Sequence, residues 1–320
     1  MKLDNKGFAV SIILYSMIIV ITIVLLLIVS IYATNVHNKL SQADRVKEKI
    51  SGLQTLTNKI MGDNEVIATS PNLTSSFSDG SDSSGLYKSI VTTTGQPTYY
   101  FRGNVNNNYV DFAGFTWRIV RINEDKTVRL VLDGFISTDS LYYNKDTDYL
   151  KGMYFSNTIN ESEIKYVLDN WYQSTLKDNY GSKIMSGEYF CEQNKVTDTT
   201  DVNNSAVPIM YPNYIPDFRC LTDANGHGVY GSEVGLLTYD DVVFAGGYYN
   251  KTDTNYYLYK DSNWWTMSPS NYNSIWSVNN SGSLIPVSES TTRRIRPVIN
   301  LRSNVTATGT GTTGDKYIIN

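Results

Sequence analysis

The two cysteines are the residues of this sequence whose chemistry is most readily stated. Cys191 and Cys220 bracket a stretch that is rich in Asn, Asp, Thr and Pro. In an oxidising compartment a disulfide between them would stabilise the fold by about 3–4 kcal/mol, mainly because it restricts the unfolded chain. Two unrelated buried thiols are the alternative, and two cysteines without histidine partners are too few ligands for a zinc site. We therefore predict a Cys191–Cys220 disulfide.

An oxygen-rich run after the second cysteine has the start of a calcium-binding loop. Asp223 and Asn225 stand at alternate positions before a glycine, and Glu233 lies near the end of the loop. Such a loop needs an oxygen ligand at its fifth position and a bidentate Glu at its twelfth. His227 and Val234 occupy those positions here. A Gly/Asn turn therefore explains the run better; we predict no metal, and keep Asp223, Asn225 and Glu233 as the calcium candidate.

No arrangement of residues indicates catalysis. The chain has only two histidines, and His227 has no nucleophile at a motif spacing. The 31 acidic residues are scattered, without a pair at the spacing that acid and base catalysis would suggest. We therefore predict a protein that is not an enzyme and that needs no cofactor.

Aromatic residues are the remaining candidates for a binding surface. The chain has 25 tyrosines in 320 residues, and its net charge of −4 gives no reason to expect a nucleic-acid partner. Neighbouring residues of a strand face opposite ways, so one member of an aromatic pair would be exposed and would suit a glycan or a protein. Core packing is the alternative. The candidate ligand-facing residues are Tyr248, Tyr249, Tyr256, Tyr257, Trp264 and Trp265.

An N-terminal segment is uncharged, and it would hold the binding part of the chain in its place. Residues 8–32 are twenty-five residues without a charge. As a helix they span about 37 Å, enough to cross a hydrocarbon core of about 30 Å. A cleaved signal sequence would have a shorter apolar region of about 7–15 residues. We therefore predict a single-pass transmembrane anchor over 8–32, with the lipid bilayer as its partner and residues 1–7 as a cytoplasmic tail.

The apolar pattern continues beyond this span. From Val36 to Ile60, apolar residues recur at steps of three and four, which is typical of one helical face. This predicts an amphipathic helix over 33–61 that is available for packing or self-association. Small polar residues with Gly and Pro dominate 62–89, which predicts a flexible linker. The folded domain is then expected over 90–320, outside the cell.

A short motif opens the N-terminal helix. The residues KGFAV, from Lys6 to Val10, precede a long apolar and then amphipathic helix. This arrangement resembles the N-terminus of type IV prepilins. In that family a peptidase cuts between the Gly and the Phe, which implies cleavage between Gly7 and Phe8 here and a role in a filament. The chain departs from the family at Ile12, where pilins usually carry Glu, and its helix lacks the usual kinking proline.

The rest of the chain has short strands interrupted by two helices. Residues 116–122 and 127–132 are β-rich and flank four turn-forming residues, which predicts a hairpin. Apolar positions on one face, with Ser162 as N-cap, predict a helix over 162–176, and a second short helix is expected over 238–244. The order predicts an α+β fold: a long N-terminal transmembrane helix, followed by a mostly antiparallel β domain with one or two helices.

The last third of the chain carries a second motif. Its residues are WWTMSP at 264–269, Trp276, Gly282 and RPVINL at 296–301. This pattern resembles an uncharacterised bacterial surface domain and, more distantly, C-type-lectin-like folds of the formylglycine-generating-enzyme kind. The resemblance covers roughly residues 87–320 and implies a cell-surface domain of such a fold. Those enzymes use cysteines near their C-terminal end, whereas the cysteines here lie in the middle of the chain, so that activity is not implied.

We therefore expect a membrane-anchored cell-surface protein whose outer domain binds or displays, with an unknown glycan or protein as ligand. Two alternatives stay open: a type IV pilin-like or pseudopilin-like filament subunit, and an enzyme of lectin-like fold with unknown activity. Lysines and arginines stand on both sides of the span, so the charge bias does not decide its direction. We expect the C-terminal domain to be extracellular because the short N-terminal tail is that of a signal-anchor.

Overall fold

The chain divides into two compact units. The structure is a computed structural model, and it describes residues 5–50, 54–144, 162–191, 215–220, 229–271 and 274–320. The first unit is Met1–Leu53 and the second is Gln54–Asn320.

The first unit is one long helix, α1. It spans Asn5–Ile50, and its 46 residues make a rod of about 69 Å. No proline occurs in this range, so every residue after the first turn can donate its backbone hydrogen bond. All described side chains from Ile13 to Leu40 are exposed. The predicted apolar N-terminal helix is confirmed.

The second unit is built mainly from short strands, which confirms the prediction of a mostly antiparallel β domain with few helices. Its helices are α2 (Leu56–Asp63), α3 (Glu163–Thr175), α4 (Lys177–Tyr180) and α5 (Tyr239–Ala245), with a 3-10 turn at Gly181–Lys183. Its strands are β1 (Gln54–Thr55), β2 (Gly85–Ser89), β3 (Thr98–Arg102), β4 (Tyr109–Phe112), β5 (Phe115–Ile122), β6 (Val128–Leu132), β7 (Leu141–Tyr142), β8 (Glu188–Cys191), β9 (Val229–Ser232), β10 (Val234–Gly235), β11 (Trp264–Asn271), β12 (Ser274–Val278), β13 (Leu284–Ser288), β14 (Thr292–Arg293), β15 (Val298–Leu301), β16 (Thr306–Thr308) and β17 (Tyr317–Ile319).

The main sheet of the second unit has ten strands. Its order is β1-β16-β17-β4-β5-β6-β15-β10, and β3, which pairs with β2, also pairs with β5. Its pairs are antiparallel except for β17 with β4. The predicted hairpin over 116–132 is confirmed as β5 and β6, in which Trp117 lies opposite Leu132 and Ile122 lies opposite Val128.

Three smaller sheets complete the second unit. Strands β11, β12 and β13 form an antiparallel meander, while β7 pairs with β14 and β8 pairs with β9. One hydrophobic core joins the main sheet, the meander, α3 and α5 through residues such as Trp117, Trp265, Leu168 and Val242. These four side chains are fully buried, and the burial of such large apolar groups is the main source of stability in a domain of this size.

Both predicted helices are confirmed, and their ends have the expected chemistry. The Ser162 hydroxyl accepts a hydrogen bond from the Lys165 N–H at 3.3 Å and starts α3. Thr238 and Asp241 form a reciprocal capping box at the start of α5. This helix ends at Gly246, whose φ of 124° a residue with a side chain would adopt only under strain.

The prediction of one amphipathic helix over 33–61 is wrong in its second half. Helix α1 ends at Ile50, and the residues from Gln54 onward belong to the second unit. There, Leu56 and Ile60 of α2 are 1% and 0% exposed and lie in the core of the β domain. The apolar steps of three and four therefore combine the end of one helix with the buried face of another.

The prediction of a flexible linker over 62–89 is also wrong, as is the start of the folded domain at 90. The Arg102 Nε donates to Asp82 at 2.8 Å, and the Arg102 Nη2 donates to the Asn72 carbonyl at 2.8 Å. The Ser78 N–H and hydroxyl donate to Asp253 at 2.7 and 2.8 Å. Polar side chains hold this run to the domain, although it has few apolar residues to bury.

The first testable prediction concerns the place of α2 in the core. Ile60→Ala should destabilise the second unit by about 2–4 kcal/mol, because it removes a fully buried side chain and leaves a cavity. Asn58→Ala, on the exposed side of the same helix, should change stability by less than about 0.5 kcal/mol. Thermal unfolding of the full chain in detergent measures both. Equal stability of the two variants would mean that α2 is not part of the core.

Candidate functional site

The apolar surface of α1 is the first candidate site. Residues Ile13–Leu40 form a stretch of 28 residues that contains an 18-residue window with a mean hydropathy of 3.0, and no residue of that window is buried. Its large apolar side chains are between 41% and 72% exposed. At about 42 Å it is long enough to cross a membrane. Membrane anchors and signal sequences share this property.

Two hydroxyl groups of this stretch donate hydrogen bonds to backbone carbonyls of the same helix. Ser16 donates to the Ile13 carbonyl, and Thr22 donates to the Ile18 carbonyl, each at 2.8 Å. In lipid no water is present to satisfy such groups, so an internal partner is the arrangement that a membrane requires. These two hydroxyl groups are therefore compatible with an apolar surrounding, whereas Asn35, His37, Asn38 and Lys39 form a polar end of the stretch.

The residues of the predicted prepilin-type cleavage lie at the start of α1. Gly7 and Phe8 both fall in its first turns. The cleavage between them stays a prediction, since the structure describes only the backbone at these two residues.

The predicted ligand-facing aromatic residues are, with one exception, core residues. Tyr248, Tyr256, Tyr257, Trp264 and Trp265 are between 0% and 4% exposed. Tyr249 is half-buried, with its ring 5.5 Å from that of Trp276. The expectation that one member of a pair faces a ligand is therefore wrong for Tyr256–Tyr257 and for Trp264–Trp265, in which both members are buried, whereas Tyr249 keeps a partly exposed side chain.

The residues of the second sequence motif have structural contacts. The Arg296 guanidinium lies 5.0 Å from the Trp264 ring and donates to the Leu258 carbonyl at 2.7 Å. Asn300 accepts from the Asn123 amide at 2.9 Å and from the Arg129 Nε at 3.0 Å. The motif thus joins β11, β15 and the β5–β6 turn inside the domain.

The cysteines and the calcium candidate lie partly outside the described residues. Cys220 carries no free thiol, but the side chain of Cys191, at the end of β8, is not described. The Cys191–Cys220 pairing therefore stays a prediction. Asp223 and Asn225 also lie outside the described residues, whereas Glu233 accepts a hydrogen bond from the Ser186 hydroxyl at 2.9 Å. In the part of the chain that is described, no three acidic, His or Cys side chains form a metal-binding group.

A glycine-rich run near the C-terminus formally matches a nucleotide-binding spacing. Residues 309–314 read GTGTTG, which has the spacing GxGxxG. A phosphate-binding loop of this type follows a strand and opens a helix. Here the run joins β16 to β17, which are antiparallel neighbours in the sheet. It is therefore a turn between strands.

One acidic residue has a strongly shifted pKa. Glu289 is 8% exposed, and its Oε2 has no hydrogen-bond partner among the described residues. Burial raises the pKa of this carboxyl to about 7. Backbone N–H groups of Tyr143 and Asn144 donate to the Glu289 carbonyl, which holds the turn after β13 in place. The carboxyl is therefore partly protonated near neutral pH.

A cleft of about 390 Å³ lies where α2 meets the β5–β6 turn, and we call it the α2 cleft. Its walls include the Tyr99 ring, the apolar side chains of Met61 and Ile122, and the turn residues Asp125 and Lys126. Asn58 and Ser303 also line it. The volume falls at the lower end of the range of about 300–1,000 Å³ that small-molecule sites usually have.

Lys126 stands in this cleft with an unusual backbone. Its φ is +71°, a left-handed conformation that costs about 1 kcal/mol for a residue other than glycine. The turn requires it: the Lys126 N–H donates to the Asn123 carbonyl at 3.0 Å, and the Thr57 hydroxyl donates to the Lys126 carbonyl at 2.9 Å. The Lys126 ammonium lies 5.9 Å from the centre of the Tyr99 ring.

Buried charges fix the strands beneath this turn. Asp241 is fully buried, with Arg121 at 2.8 Å and Arg129 at 3.7 Å. Burial alone would raise the pKa of Asp241, but the two guanidinium groups and the Thr238 cap hold it below its usual range. Arg121 also donates to Asn123 at 2.7 Å, at the start of the turn. The ion pairs thus connect α5 to the turn that carries Lys126.

No protein family, curated protein or solved structure matches this chain. The resemblances to type IV prepilins and to a bacterial surface domain therefore stay predictions.

The second testable prediction concerns Asp241. Asp241→Asn should destabilise the second unit by about 3 kcal/mol at neutral pH, because it leaves two buried cations without their carboxylate. The pKa of Asp241 is lowered in the folded protein, so its contribution is present above the ordinary value of 3.8 and is lost as the pH falls below it. The difference between wild type and variant should therefore shrink in acid.

Denaturant unfolding of the full chain in detergent between pH 3 and pH 8 measures this difference. Asp139→Asn, which changes an exposed aspartate, serves as the control and should leave stability nearly unchanged at every pH. A gap between wild type and Asp241→Asn that stays constant down to pH 3 would contradict the ion-pair argument.

Proposed function

We propose that the protein is a single-pass membrane protein of the cell surface, anchored by α1, whose second unit binds or displays without catalysing a reaction. The observation that carries this proposal is the exposed apolar surface of Ile13–Leu40. Leaving such side chains in water costs about 1.5–3 kcal/mol each, and so on the order of tens of kcal/mol for the whole stretch. A lipid bilayer removes this cost with a single copy of the chain.

The orientation that we propose places the second unit outside the cell. A disulfide between Cys191 and Cys220 would form only in an oxidising compartment, and Cys220 carries no free thiol. We also propose that residues 87–320 belong to the bacterial surface domain that the C-terminal motif resembles, with its C-type-lectin-like fold. The burial of Trp264 and Arg296 supports a structural role for that motif.

The third testable prediction concerns membrane insertion. Replacing both Leu25 and Leu26 by Arg should move most of the protein from the carbonate-resistant membrane pellet to the soluble or degraded fraction. Each arginine at the centre of a span costs about 2.5–3.5 kcal/mol of insertion energy. The matched control replaces Ile90 and Val91, two exposed apolar neighbours in the second unit, by Arg, and should stay in the pellet. If carbonate extracts the wild-type protein from the membrane pellet, this result would contradict the proposal of a membrane anchor.

A pilin-like filament subunit is the second candidate. Gly7 and Phe8 lie in the first turns of a continuous helix, and helices of other copies could cover the same apolar side chains that lipid would cover. Ile12 in place of the usual Glu removes the charge that the resemblance would lead one to expect.

The fourth testable prediction separates these two candidates. Mass spectrometry of the mature protein should find a chain that still contains residues 1–7, as a plain anchor does. A mature N-terminus at Phe8, especially an N-methylated one, would contradict the plain anchor and favour the filament subunit. Gly7→Ala is the control for such a cut, because it should block processing and leave the longer chain.

A further inference from the structure

We propose that the α2 cleft binds a saccharide, with one sugar ring on the face of Tyr99 and the polar groups around it contacting the sugar hydroxyls. The proposal rests on the binding role proposed above and names the class of ligand. It needs neither the N-terminal cleavage nor a particular orientation in the membrane.

The first feature of the cleft that fits a saccharide is the aromatic ring of Tyr99. Tyr99 is partly buried, and its ring lines the cleft together with Met61. A pyranose ring has an apolar C–H face that packs on an aromatic ring, which offers large area at little cost in side-chain entropy. Most described aromatic side chains of the second unit are buried, whereas Tyr99 keeps part of its surface exposed.

The second feature of the cleft that fits a saccharide is the set of polar groups around the Tyr99 ring. Asn58, Ser303 and Lys126 are exposed at the cleft. Within the described residues, their side chains make no hydrogen bond to another residue, and neither does the Tyr99 hydroxyl. Sugar hydroxyl groups both donate and accept, and this set provides an amide, two hydroxyls and an ammonium, with the Asp125 carboxylate as a further acceptor. A convergent set of mixed donors and acceptors beside an aromatic ring fits a saccharide better than an apolar ligand.

The turn requires a left-handed backbone at position 126, and a lysine rather than a glycine occupies it. Its φ of +71° is one that glycine adopts without strain. Lys126→Gly should therefore stabilise the turn while it removes the ammonium from the cleft. A residue that opposes the local backbone preference at the edge of a cleft is the pattern expected of a binding residue. Stability and binding should move in opposite directions in this variant.

The fifth testable prediction follows from that opposition. Detergent-solubilised full chain is applied to an array of immobilised mono- and oligosaccharides that also carries immobilised peptides. We expect wild type to bind at least one saccharide. Lys126→Gly and Tyr99→Leu should each weaken that binding at least tenfold, and Lys126→Gly should raise the unfolding midpoint by about 2 °C.

Two control variants make the result specific to the cleft. Tyr99→Phe keeps the ring and should lose less than Tyr99→Leu. Tyr166→Leu removes a tyrosine that is 66% exposed on α3, outside the cleft, and should bind as wild type does. Binding to peptides alone, no saccharide binding, or saccharide binding that survives both cleft variants would overturn the proposal. None of these results would affect membrane anchoring, which the carbonate experiment tests by itself.

Discussion

One physical constraint governs the N-terminal unit: the apolar side chains from Ile13 to Tyr32 must be kept out of water. Every described side chain in this stretch is exposed. The hydroxyls of Ser16 and Thr22 bond to backbone carbonyls of the helix and do not require solvent, and the charged Lys39 comes only after Tyr32. Whatever surrounds the apolar part of α1 must therefore be apolar, and lipid or other copies of the helix are two surroundings that meet this need.

The second unit differs from α1 because it buries charged side chains. Arg102, Arg129 and Arg296 are at most 1% exposed. Arg102 meets Asp82 and the carbonyls of α5, while Arg296 donates to the carbonyls of Leu132 and Leu258. Backbone carbonyl oxygens thus replace water around the guanidinium groups of Arg102 and Arg296, while Arg129 donates to the Asn300 side chain. Hydrogen bonds of this type connect loops that are distant in sequence. A small polar loop has too few apolar residues to make such a connection by burial.

The sequence predicted those parts of the fold that depend on local patterns. The uncharged run, the β5–β6 hairpin and the cap at Ser162 each follow from neighbouring residues, and each is found in the structure. The end of α1 was missed because the core face of α2 repeats the same helical spacing.

What could not be predicted depends on contacts between distant residues. Asp82 orders its polar segment through Arg102, twenty residues away. Both members of two aromatic pairs are buried because residues distant in sequence cover them, such as Arg296 over Trp264 and Tyr143 beside Trp265, which no period of two can reveal. The α2 cleft likewise combines α2, β3 and the β5–β6 turn. The sequence did not predict the positive φ of Lys126. Only the Asn and Asp residues before it indicated a tight turn.

The most direct test of the central claim is the water accessibility of α1 in intact membranes. Single cysteines at Ile18, Leu25, Tyr32 and Leu40 are treated with a membrane-impermeant maleimide, before and after detergent is added. The account predicts no labelling at the first three positions until detergent is added, and labelling at position 40 throughout. Equal labelling at all four positions before detergent would contradict it, because α1 would then lie in water.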